Sequence, residues 1–75
     1  MATILLVEDD TSMRLLTTAK LKHRYAIISV QDGVEALDVL ERQPVDLIIA
    51  DVMMPRMDGY TLVKTLRERG DQIPV

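Results

Sequence analysis

The residues best placed to do chemistry are carboxylates that end greasy runs. Ile4-Leu5-Leu6-Val7 leads directly into Glu8-Asp9-Asp10, and Leu47-Ile48-Ile49-Ala50 leads directly into Asp51. If the two runs are neighbouring strands, both acidic sites meet at one edge. Carboxylates brought that close repel, and a divalent cation lets them stay ionised together. With no His or Cys nearby, an oxygen-only donor set suits Mg²⁺ or a similarly hard ion. An Asp beside such an ion can act as a nucleophile and form an aspartyl-phosphate, while the ion offsets charge on the phosphoryl group. The chemistry suggested is phosphorylation of Asp51, with Glu8 and Asp9 helping to hold Mg²⁺.

Each residue also has a plain structural explanation. The acidic triplet can cap a following helix. Asp51 can form an Asx-turn, and Asp58-Gly59 is a turn pair under any function. His23, between Lys22 and Arg24, reads as a solvated residue at a helix end. Met53, Met54 and Met57 read as core filler or a soft contact surface. Lys64, Arg67 and Arg69 read as a solvated helical face. The combination favours function: two acidic clusters, each ending a buried run.

Those runs need elements to position them. Thr3–Val7 is short and continuously apolar, as expected of a strand covered on both faces. A helix from about Ser12 to about Lys22 follows, its apolar stripe made by Met13, Leu16 and Ala19 and widened by Leu15 and Leu21. Ala26–Val30 is a second strand. Gln31-Asp32-Gly33 is a turn signal before a second helix that runs to about Arg42 and stops at Gln43-Pro44. Leu47–Ala50 is the third strand. Tyr60, Leu62, Val63 and Leu66 mark a third helix with Gly70 as its C-cap. Ile73-Pro74-Val75 looks like the start of a fourth strand, where Pro is tolerated. Strands alternating with short helices imply right-handed βαβ units and a parallel sheet, which binds ligands outside the carboxyl ends of its strands.

Size and composition limit the rest. At 75 residues there is one domain at most, and domains this small are marginally stable. The net charge of −3 argues against general nucleic-acid binding. A hydrophobic content of 48% with two Tyr, no Phe and no Trp implies a folded, aliphatic core. The absence of Cys excludes disulfides and thiolate metal sites. No run approaches the ~20 apolar residues of a membrane span. The apolar start lacks a basic leader, and the expected location is cytoplasmic.

The segments ILLVEDD, DGVEAL, DLIIADVMMPRMDGYTLVKTLR and IPV together resemble the receiver domain of two-component response regulators. The resemblance spans essentially the whole chain. It implies a flavodoxin-like, doubly wound fold with five parallel strands in the order 2-1-3-4-5. Residues 1–75 would form the N-terminal half to two-thirds of it, βαβαβα plus the start of the fourth strand. It implies Mg²⁺-dependent phosphoryl transfer from a histidine kinase or phosphotransfer protein, with no enzymatic turnover beyond the domain's own phosphorylation and dephosphorylation. Asp51 matches the phosphoacceptor. Glu8 and Asp9 match the acidic pair, Asp9 being the one placed for direct ligation. Met53 matches the position whose backbone carbonyl completes the metal site, and Pro55 and Gly59 match the residues that shape the following loop. The family's hydroxyl residue on strand four and lysine on strand five have no counterpart within these 75 residues.

Two other functions remain open. The chain can be an engineered or proteolytic half-domain that only self-associates, as a homodimer or with a complementing fragment, through the apolar edge of its third strand. It can also be a phosphohydrolase, since Val-Glu-Asp-Asp-Thr resembles an Asp-x-Asp-x-Thr motif; there Glu8, a longer carboxylate, stands where the nucleophile belongs.

Overall fold

The computed structural model describes residues 1–50 and 59–75, the side chain of Tyr60 excepted. Its elements are β1 (Thr3–Val7), α1 (Thr11–Leu21), β2 (Ala26–Val30), α2 (Gly33–Arg42), β3 (Leu47–Ala50) and α3 (Gly59–Glu68). The strands form a parallel sheet in the order β2-β1-β3. This is the first part of the flavodoxin-like order. The expected helix Ser12–Lys22 begins one residue earlier, and Lys22 is its C-cap, donating its backbone N–H to the Thr18 carbonyl.

The order of the strands decides which face each helix covers. The chain steps from β1 to β2 in one direction, then back across β1 to β3. Right-handed crossovers therefore put α1 on one face and α2 on the other. The core agrees. Leu5, Val7 and Ile48 pack with Ala36 of α2 and with Leu62 and Leu66 of α3. Side chains alternate along a strand, so Ile4 and Leu6 belong to the face of α1. Both are buried as well, and β1 is covered on both sides as its continuous apolarity requires.

Register is fixed at the amino end. Asp46 takes the Thr3 N–H with its carboxylate at 2.7 Å and returns its own N–H to the Thr3 carbonyl at 2.8 Å. A slip of one residue would turn Ile48 out of the core, so the pairing is strongly specified.

The stripe on α1 behaves differently from expectation. Met13 is 50% exposed, Leu15 65% and Leu16 49%, and α1 buries no residue completely. The reason lies in what α1 packs against. It meets β1 and β2, and Ile49 on β3 stays 38% exposed. Among the described residues nothing covers the rest of that face.

The end of α3 is well defined. Gly70 adopts a positive φ of 80°. Its N–H bonds the Arg67 carbonyl, and the Asp71 N–H bonds the Leu66 carbonyl, which is a Schellman closure. Arg67 is not simply solvated: its guanidinium donates to the carbonyls of Asp71 and Ile73. Arg69 pairs with Glu41 of α2 at 3.2 Å. Residues 71–75 form no strand, and among the described residues the expected fourth strand is reduced to one bond to β3. The Ile48 N–H donates to the Pro74 carbonyl, which sets this segment along β3. Gly70→Ala is expected to destabilise the chain by about 1 kcal/mol, because a Cβ disfavours this backbone conformation and finds nothing to contact within 4 Å. A lowered urea midpoint checks it; an unchanged midpoint would mean that α3 ends another way.

Candidate functional site

The carboxyl ends of the three strands are level. Val7 is the register partner of Val30 on one side and of Ala50 on the other. From there the chain leaves β1 toward α1 and leaves β3 toward α3, on opposite faces of the sheet. That divergence is the switch point at which doubly wound sheets bind ligands. Glu8 is next in sequence after Val7, and Asp51 is next after Ala50.

The acidic triplet divides its work. Asp10 is the N-cap of α1, its Oδ1 accepting from the Met13 N–H at 3.0 Å. The Glu8 N–H extends the sheet by one bond to the Val30 carbonyl at 3.0 Å. The Glu8 carboxylate accepts from the Asp10 N–H at 3.3 Å. Asp9 is exposed, and its carboxylate has no partner among the described residues. Capping thus accounts for Asp10 and in part for Glu8, and it leaves Asp9 available.

One residue was not foreseen. Arg14 donates from Nη1 to the Glu8 carbonyl at 3.0 Å, a partly buried bond, while its backbone N–H donates to the Asp10 carbonyl as in any helix. A cation in the first turn of a helix opposes the macrodipole, and that mismatch is the signal in the sequence that could have singled it out. Arg14 also lines a polar recess of about 180 Å³ with Ser29, Val30, Gln31 and Glu35. The floor of the recess is ordered by α2. Asp32 caps that helix through Oδ1 and the Glu35 N–H at 2.9 Å, and Glu35 reaches back to the Gln31 N–H at 3.2 Å.

Of the residues singled out in the sequence, Glu8 and Asp9 are brought to the expected edge. Asp51, Met53 and Pro55 lie outside the described residues, as do Met54, Met57 and Asp58. Gly59 opens α3. Among the described residues no group of three or more His, Asp or Glu could hold a metal; Glu8 and Asp9 are two oxygen donors of the type a hard cation takes.

Residues 4–75 match the family described as the response regulator receiver domain. The chain belongs to this family. Response regulator MprA from Mycobacterium sp. (strain KMS) is 41% identical over 73 residues, which are 96% of this chain and 32% of that protein. The receiver chain therefore spans about a third of the length of the curated relatives it matches. Among solved structures, the receiver domain of the Francisella response regulator 1452 is 30% identical with a TM-score of 0.95, covering 100% of this chain and 63% of that one. Chemotaxis protein CheY4 from Vibrio cholerae is 37% identical with a TM-score of 0.87, covering 93% and 59%. Response regulator protein TrrA from Thermotoga maritima, solved in complex with Mg²⁺-BeF, is 31% identical with a TM-score of 0.85, covering 92% and 61%. The receiver is a signalling domain, and no described helix is long and apolar enough to cross a membrane.

Proposed function

We propose that this receiver accepts a phosphoryl group on Asp51, with Mg²⁺ held by Glu8, Asp9, Asp51 and the backbone carbonyl of Met53, and with Pro55 and Gly59 shaping the loop around it. The observation that carries the reading is the level ending of β1 and β3: Val7 and Ala50 are partners, so the residues that follow them start from one edge. The donor set is oxygen only, and Asp9 is exposed without a protein partner among the described residues, which suits a cation that keeps several waters. When bound, Mg²⁺ would supply positive charge to a phosphoryl group in transfer. The chain's own part is nucleophilic. A carboxylate oxygen of Asp51 attacks phosphorus, a P–O or P–N bond to the donor breaks, and the leaving group departs with the bonding electrons. The donor is a histidine kinase or phosphotransfer protein. The phosphohydrolase alternative is disfavoured, because Asp10, which it would use as an acid, is engaged as the cap of α1.

Residues 1–75 cover 59–63% of the solved receiver chains. As a receiver the chain would catalyse nothing beyond its own phosphorylation and dephosphorylation. The test uses the chain as it stands and a version extended to the length of those receivers. Each is incubated with a small acyl phosphate donor and Mg²⁺, and intact mass is measured. The extended version is expected to gain one phosphoryl group, and chelation of Mg²⁺ is expected to prevent it. Equal labelling with and without Mg²⁺ would remove the metal from the reading.

A second reading, a chain that only self-associates, is favoured by the exposure of Met13, Leu15 and Leu16 on α1 and of Ile49 on β3. Sedimentation distinguishes them: a defined dimer that neither binds Mg²⁺ nor is labelled supports self-association alone, and a cooperative monomer excludes it.

A further inference from the structure

We infer that Arg14 is a positioning residue that sets the direction in which Asp9 presents its carboxylate; for its metal-binding consequence this rests on the proposed Mg²⁺ site. The Glu8 carbonyl and the Asp9 N–H belong to one planar peptide unit. Arg14 holds that carbonyl at 3.0 Å, and the Glu8 N–H is tied to Val30 at 3.0 Å on the preceding peptide. The segment between β1 and α1 is thereby fixed on both sides of Glu8. The cap of Asp10 on Met13 fixes its far end. Asp9 sits between these anchors and makes no bond of its own among the described residues. Its aim is set by its neighbours, and Arg14 supplies a tie from a side chain outside the triplet.

The guanidinium suits the task. It is planar, always charged and presents several donors, so one nitrogen can hold the carbonyl while the side chain borders the recess of Ser29, Gln31 and Glu35. Its charge works the other way. A cation near a Mg²⁺ site repels the ion, so an Arg there is a cost unless its geometry compensates. The two roles predict opposite signs for the same substitution, which makes the inference sharp.

Mg²⁺ titration of the unmodified chain, Arg14→Gln and Arg14→Lys, followed by amide resonances, tests it. Outer-shell partners of metal ligands typically change affinity 10–100-fold, and Arg14→Gln is expected to weaken Mg²⁺ binding about tenfold. Arg14→Lys loses the planar fork but keeps a long donor that can still reach the Glu8 carbonyl, and is expected to lie between. In the metal-free protein, Arg14→Gln should also lower the ¹⁵N order parameter of the Asp9 amide. Unchanged or tighter Mg²⁺ binding in Arg14→Gln would overturn the inference and leave Arg14 a charge or packing residue. Should Arg14→Gln fail to fold, the Lys variant carries the comparison. If the unmodified chain binds no Mg²⁺, the metal site itself fails; the order parameter then still decides whether Arg14 positions Asp9.

Discussion

Asp51→Asn is expected to reduce phosphoryl incorporation to background in a receiver of full length carrying these residues. The substitution keeps the shape of the side chain and removes its charge. A neutral amide oxygen is a far weaker nucleophile than a carboxylate, and the acyl phosphate that defines the product cannot form from it. The variant also takes one charge from the proposed Mg²⁺ ligands, so Mg²⁺ affinity should fall alongside labelling. Folding is not expected to suffer, because fewer carboxylates at one edge means less repulsion. Intact mass after incubation with donor and Mg²⁺ reads the first effect and thermal melting reads the last. Label retained in Asp51→Asn would move the acceptor elsewhere, and Asp9 would be the next residue to test, since Asp10 is committed to capping α1.

Leu5→Ala carries the largest expected structural effect. Leu5 is fully buried at the centre of the middle strand. Its side chain belongs to the cluster that joins the sheet to α2 and α3. Truncation of such a Leu costs about 2–5 kcal/mol, from lost transfer energy and the cavity left behind. A single core in a chain of this size rarely supplies more than ~3–5 kcal/mol. The substitution should therefore leave the chain largely unfolded at room temperature, seen as loss of helical circular dichroism before any urea is added. A cooperative transition with nearly the original midpoint would mean that α2 and α3 do not pack on this face. Leu15→Ala serves as the contrast: Leu15 is exposed, and its truncation should leave the midpoint almost unchanged.

The parts of the fold that were legible in the sequence are those governed by local pattern. The continuous apolar runs of β1 and β3, the stop at Pro44 and the Gly70 cap all follow from short-range rules, and the structure has them. The stripe on α1 was legible as apolar but not as exposed. Periodicity tells which face of a helix is greasy; only tertiary packing tells whether anything lies on it. Arg67 is exposed as expected, but its bonds were not legible for a related reason. Its partners are backbone carbonyls of Asp71 and Ile73, and carbonyls leave no trace in residue identity. At the candidate site, the placing of Glu8 and Asp9 at the carboxyl edge was legible because charge after a buried strand is unusual. Arg14 escaped because its contact with Glu8 depends on the bend between β1 and α1, which no spacing rule encodes.

The position of β1 has a consequence for how the chain is made. It is the first strand in sequence and the one that both others need: Thr3 pairs with Ala26, and Ile4 pairs with Leu47. During synthesis it emerges with neither partner available. Its first pairing becomes available with β2, and its far edge stays unpaired until β3 has followed, with the closing Thr3–Asp46 tie spanning 43 residues. Closing the longer loop adds little extra entropy cost, so the delay is set by the order of synthesis more than by chain statistics. Until then Ile4, Leu5, Leu6 and Val7 form an open sticky segment, the kind that draws unfinished chains together. Nothing can be gained in speed by strengthening β2 or β3 against each other, since they never touch. Every path to the native sheet passes through the five residues of β1.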